Sequence, residues 1–127
     1  MEKLKVLLVD DEEEFVTTLA ERLQLREIET VISTDGDDAL RVINTDRPPV
    51  VVLDVMMPGI GGLDVLQQIK RNYPQIQVIL LTGRGTTSDG IKGMRLGAFD
   101  YMMKPVKIED LIQKMNEAFQ VSKQVKE

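Results

Sequence analysis

Val50-Val51-Val52-Leu53-Asp54-Val55-Met56-Met57-Pro58-Gly59 is the stretch from which the fold can be read. Its first four residues are apolar without alternation, which predicts a strand buried on both faces, as in a parallel sheet. A carboxylate follows where that strand should emerge, and a Pro-Gly turn comes next. Three further strand-like runs also end in polar groups: Val9-Asp10-Asp11, Leu81-Thr82-Gly83 and Met103-Lys104-Pro105. The carboxyl ends of parallel strands share one edge, and ligands bind there. The reading therefore converges on Asp54, ringed by paired acids, a hydroxyl and an ammonium.

Working outward in both directions, strands and helices alternate. Lys3 to Val9 reads as the first strand, followed by a helix with Phe15, Val16, Leu19 and Leu23 at helical spacing. Glu12, Glu13 and Glu14 open that helix, where its dipole favours negative charge. Glu29 to Thr34 is a shorter, more polar strand suited to an edge. Asp35-Gly36-Asp37 supplies a turn and cap for a helix carrying Ala39, Leu40, Val42 and Ile43, which Arg47-Pro48-Pro49 stops. Beyond Gly61-Gly62, the residues Leu63, Leu66 and Ile69 mark a third helix, closed near Tyr73-Pro74. Ile76 to Leu81 is a buried strand, Thr86 to Leu96 a helix ended by Gly97, and Ala98 to Met103 the fifth strand. Ile108, Leu111, Ile112, Met115 and Phe119 give an amphipathic last helix, with Lys123 to Glu127 expected to fray. Strict alternation predicts an α/β fold: a doubly wound, five-stranded parallel sheet in order 2-1-3-4-5 with five helices. Adjacent strands lie about 4.8 Å apart, so Asp10, Asp11 and Asp54 would crowd together, with Thr82 one strand away and Lys104 two.

Bulk properties narrow the chemistry. The 127 residues, expected to form one domain (1–127) with no effector domain after the last helix, are 43% hydrophobic and 29% charged, as in an ordinary globular protein. A net charge of −5 argues against direct nucleic-acid binding. No run approaches a membrane span, and no signal peptide opens the chain, so a cytoplasmic location and no membrane association are expected. The chain has no cysteine and no histidine. That excludes disulfides, thiolate and histidine nucleophilic catalysis, and histidine metal sites. What remains is carboxylate, hydroxyl, lysine, arginine and a hard cation. Three close carboxylates need neutralising, and an all-oxygen donor set suits Mg²⁺. A pocket with Mg²⁺, an ammonium and a hydroxyl suits phosphoryl transfer, with the central carboxylate as nucleophile forming an aspartyl phosphate.

Asp10-Asp11, Asp54 with Met57-Pro58, Thr82-Gly83 and Lys104-Pro105 ahead of the last helix together resemble a receiver domain of a two-component response regulator, across essentially the whole chain. The resemblance implies that Asp54 accepts phosphate from a phosphohistidine on a sensor histidine kinase or phosphotransfer protein. It implies that Asp11, Asp54 and the Met56 carbonyl bind Mg²⁺, with Asp10 helping through water. Thr82 and Lys104 would hold the phosphate, Tyr101 would swing inward as Thr82 moves, and the Lys104-Pro105 bond would be cis. The chain would catalyse only its own phosphorylation and slow hydrolysis. The surface of helix four, strand five and helix five would change for a downstream partner, with a phosphorylation-dependent homodimer as one outcome.

Departures from the family pattern carry expectations of their own. Gly61-Gly62 replaces a more common Asp or Asn before the second glycine, which would loosen that loop. Met56 and Arg84 flank the path of the hydrolytic water, and they are expected to shield the acyl phosphate and prolong the signal. Gly90 and Gly93 weaken the fourth helix by about 1 kcal/mol each against alanine, so looseness at Gly90 is expected to assist switching, whereas Gly93 equally suits close packing on the sheet. The seven methionines read as flexible filler. Two rival readings, the second of the same topology, stand against the receiver one. An aspartyl phosphatase would want a second carboxylate at position 56, which is Met. A flavin or nucleotide module would want a Ser/Thr- or Gly-rich phosphate loop after the first strand, where Asp10 to Glu14 would repel phosphate. A receiver fold used as an unphosphorylated docking module is disfavoured by the intact acceptor set.

Overall fold

The computed structural model describes residues 3–83 and 87–124. Five strands, Lys5–Val9 (β1), Glu29–Ser33 (β2), Val50–Asp54 (β3), Gln77–Thr82 (β4) and Asp100–Met103 (β5), form one parallel sheet in the order β2-β1-β3-β4-β5. They alternate with helices Glu13–Leu25 (α1), Gly36–Asp46 (α2), Gly62–Asn72 (α3), Thr87–Arg95 (α4) and Ile108–Gln124 (α5). This is the expected doubly wound fold.

Residues alternate across the strands and build two apolar layers. Val6, Leu8, Val50, Val52, Ile79 and Leu81 meet Val16, Leu23, Leu111 and Met115 of α1 and α5. Leu7, Val51, Leu53, Val78 and Leu80 meet Ile43, Val65, Leu66 and Ile69 of α2 and α3. Burial on both faces is why β3 and β4 contain no polar alternation. β2 is the half-exposed edge.

Several boundaries differ from expectation for local reasons. Ala98 is not strand: its N–H donates to Gly93 O (3.0 Å) and the Gly97 N–H to Met94 O (3.2 Å), closing α4 in a Schellman motif around Gly97 at φ 103°. Pairing of β1 starts only at Lys5, opposite Glu29. Lys123 and Gln124 continue α5 instead of fraying, with Lys123 Nζ 4.3 Å above the Phe119 ring one turn earlier. Asp35 caps α2 by accepting from the Asp38 N–H (2.8 Å). The expected helix start at Thr86 lies outside the described residues.

Packing adds to three of these readings. Gly62 leaves no room for a side chain, because a Cβ there would run into the Asp54 carbonyl and reach 2.8 Å from Val55 Cα, whereas at Gly61, where Asp or Asn is more common, it would meet Asp64 Oδ2 at 3.9 Å. Gly90 is not merely a weak spot, since an added Cβ would meet Tyr101 ring atoms at 2.7–2.9 Å. The methionines are only partly filler: Met57 and Met115 are buried, but Met56, Met94 and Met103 are 60%, 44% and 53% exposed. Gly93 lies against Leu80, as close packing on the sheet requires.

Candidate functional site

Strand register brings the polar strand ends together. Val9 pairs with Leu53, so Asp10 and Asp54 leave β1 and β3 side by side, while Thr82 pairs with Met103 just before Lys104. Backbone bonds extend this order past the strands: the Asp10 N–H donates to Ser33 O (3.1 Å), Val55 N–H to Leu81 O (3.2 Å) and Lys104 N–H to Thr82 O (2.8 Å). Asp10, Asp54 and Thr82 are 3%, 4% and 1% exposed. Polar groups buried this deeply require partners, and their pairing defines the site.

Each buried carboxylate has one oxygen held by its own loop. Asp10 Oδ1 accepts from the Glu12 N–H (2.9 Å), and Asp54 Oδ1 accepts from the Met56 N–H (3.2 Å). The second oxygens turn toward Lys104, whose Nζ lies 2.7 Å from Asp10 Oδ2 and 3.9 Å from Asp54 Oδ2. Burial, the charges of Asp10 and Asp11, and the incomplete compensation by the Met56 N–H and Lys104 push Asp54 up to about 6. Burial pulls Lys104 down, but its bonds to Asp10 and Glu12 outweigh that and hold it above the ordinary lysine value. The Thr82 hydroxyl is buried and has no hydrogen-bond partner among the described residues.

A cavity of about 720 Å³ opens over this cluster, lined by Asp11, Glu12, Phe15, Asp54, Met56, Gly83, Lys104 and Pro105. Asp11 is exposed on its wall. The carboxylates whose oxygens gather within 4.8 Å of one another are Asp10, Glu12 and Asp54. In the sequence Glu12 stands as an acid favouring the helix start; its place as the third member of Asp10-Asp11-Glu12 is the signal there for a site role. The exposed Met56 side chain stands at the cavity, and Tyr101 is half-buried against α4. The Lys104–Pro105 peptide is cis. Arg84 lies outside the described residues. An all-oxygen donor set around an uncompensated buried carboxylate fits a hard divalent cation such as Mg²⁺.

The family model for the response regulator receiver domain matches residues 6–116. The chain belongs to the response regulator receiver domain family. As a receiver domain it is 38% identical over 101 residues to the alkaline phosphatase synthesis transcriptional regulatory protein PhoP of Bacillus subtilis, a match covering 80% of this chain and 42% of that protein. It is 40% identical over 109 residues to the probable transcriptional regulator ycf27 of Cyanophora paradoxa, covering 86% and 45%. The receiver domain thus spans about half the length of these curated relatives. Among solved structures it resembles a response regulator receiver domain protein from Clostridium thermocellum (TM-score 0.90, 33% identity, 94% of this chain and 97% of that one). It also resembles the receiver domain of Francisella response regulator 1452 (TM-score 0.86, 31% identity, 93% and 98%). Among the described residues of the receiver domain, no helix is long and apolar enough to cross a membrane.

Proposed function

We propose that this receiver domain is a phosphorylation switch whose acceptor is Asp54, charged by a sensor histidine kinase or phosphotransfer protein of a two-component system. The observation that carries the reading is the buried Asp54 carboxylate facing Lys104 Nζ at 3.9 Å, one strand from an unpartnered Thr82 hydroxyl. In the step, Asp54 Oδ2 forms a bond to phosphorus as the bond between phosphorus and the donor's imidazole nitrogen breaks. That nitrogen keeps the electron pair, and the ring leaves as neutral imidazole with the proton it already carries on its other nitrogen. Lys104 neutralises the transferred oxygens, and Thr82 donates its free hydroxyl to one of them. Asp10, Asp11, Asp54 and the Met56 carbonyl would hold Mg²⁺, which when bound offsets the developing charge. Hydrolysis returns the carboxylate, with Met56 and Arg84 slowing the approach of water; no outside substrate is turned over.

The added dianion draws Thr82 and Lys104 toward Asp54, and Tyr101 shifts with them. Ile91 and Met94 on α4 and Met103 on β5 are exposed apolar residues that support an output surface formed by α4, β5 and α5. Its partner is an output domain or a second copy of the receiver, in a cytoplasmic setting. Incubation with acetyl phosphate and Mg²⁺ should add one phosphoryl group, mapped to Asp54 by mass spectrometry and absent in Asp54→Asn. A wild-type protein that stays unmodified refutes the reading. Beryllofluoride with Mg²⁺ on a sizing column would reveal the homodimer, and an unchanged elution volume would remove it.

A further inference from the structure

Lys104 is not centred on Asp54. Its ammonium is 2.7 Å from Asp10 Oδ2 and 2.6 Å from Glu12 Oε1, against 3.9 Å to Asp54 Oδ2. It also lies 4.4 Å above the Phe15 ring centroid, within cation–π range. Three contacts thus draw it to the β1–α1 side of the cavity, and two of them come from the start of α1. Glu12 is the N-cap residue of α1, yet its side chain caps no helical N–H. At that position a side-chain oxygen ordinarily satisfies an orphan donor of the first turn. The Glu12 carboxylate instead reaches a lysine 92 positions away in the chain.

We propose that Glu12 and Phe15 form a restraint on Lys104, holding its ammonium against the first turn of α1 and setting how readily it moves onto a phosphoryl group at Asp54. The inference rests on Asp54 being the phosphoacceptor, and it assigns Glu12 a positioning role distinct from metal binding. The physical cause is competition: a phosphoryl group on Asp54 and the Glu12 carboxylate draw on the same ammonium. The Glu12 side chain is 63% exposed, so water screens its pairing and the restraint is soft. Asp10, buried beside Lys104, stays paired with the ammonium when Glu12 lets go.

The test compares wild type, Glu12→Gln and Phe15→Leu, each at its own saturating Mg²⁺ concentration with acetyl phosphate as donor. Glu12→Gln should phosphorylate at Asp54 about two- to fivefold faster, the span of an exposed ion pair's coupling. Phe15→Leu, which keeps an apolar side chain there, should give a smaller acceleration. Repeating Glu12→Gln in a Lys104→Met background separates restraint from plain repulsion: the acceleration should vanish. A second readout needs no phosphate. Lys104 εCH₂ protons above an aromatic ring resonate upfield, and this displacement should shrink in both Glu12→Gln and Phe15→Leu. An equal or slower rate in Glu12→Gln, an acceleration that survives Lys104→Met, or unmoved Lys104 resonances would overturn the restraint while leaving Asp54 as acceptor. A wild-type chain that takes no phosphate overturns both.

Discussion

Burial and the neighbouring charges of Asp10 and Asp11 strain Asp54 electrostatically. Its pKa of about 6 in the fold, against an ordinary carboxylate value near 4, means the native state binds a proton that the unfolded chain has already released. A raised carboxylate weakens the fold as pH climbs through that window. The cost is absent below about pH 4 and complete above about pH 6. Asp54→Asn should therefore stabilise the protein by about 1–3 kcal/mol at pH 7.5 in chelator, with the difference fading toward pH 4; denaturant melts across pH would measure it. A variant that is no more stable than wild type at pH 7.5 would show that Lys104 already compensates the charge.

The elements position the site through close packing more than through helix propensity, and two neighbouring glycines separate these effects. Gly61 has extended backbone at φ −73°, and a Cβ there would make only ordinary contact, with Asp64 Oδ2 at 3.9 Å, so Gly61→Ala should alter stability by less than about 1 kcal/mol. Gly62 lies against the Asp54 carbonyl and Val55 Cα, where only backbone could yield. Gly62→Ala should cost about 1–3 kcal/mol and slow phosphorylation by displacing Asp54; thermal melts and acetyl phosphate kinetics check both. Strand ends and periodicity are local properties, so all ten elements and the meeting of Asp10, Asp54, Thr82 and Lys104 at one edge are legible in the sequence. What depends on distant neighbours is not. The seat of Tyr101 on Gly90, the tightness at Gly62 and the reach of Glu12 to Lys104 each join residues that no period or cap connects. Gly90→Ala accordingly tests displacement of a ring as well as helix stiffness.

At the scale of the whole molecule, two apolar layers fix the sheet while the reactive groups gather at its carboxyl edge. A cation seated among Asp10, Asp11 and Asp54 would remove the repulsion that the fold otherwise carries, so binding and stability are linked. Millimolar Mg²⁺ should raise the melting temperature of wild type at pH 7.5 by several degrees, and that of Asp54→Asn by clearly less. Equal shifts in the two proteins would place the cation elsewhere.

The solitary hydroxyl of Thr82 makes folding and signalling separable at one atom. It is 1% exposed and makes no hydrogen bond among the described residues, so valine of similar shape forfeits no hydrogen bond there and sheds a desolvation cost. Such a chain should melt no lower than its parent, take phosphate from acetyl phosphate more slowly for want of the donated hydrogen bond, and, once charged, relay nothing onward; thermal melts and phosphorylation kinetics check the first two. It would be an obedient decoy, able to drain a signalling pathway without being misfolded.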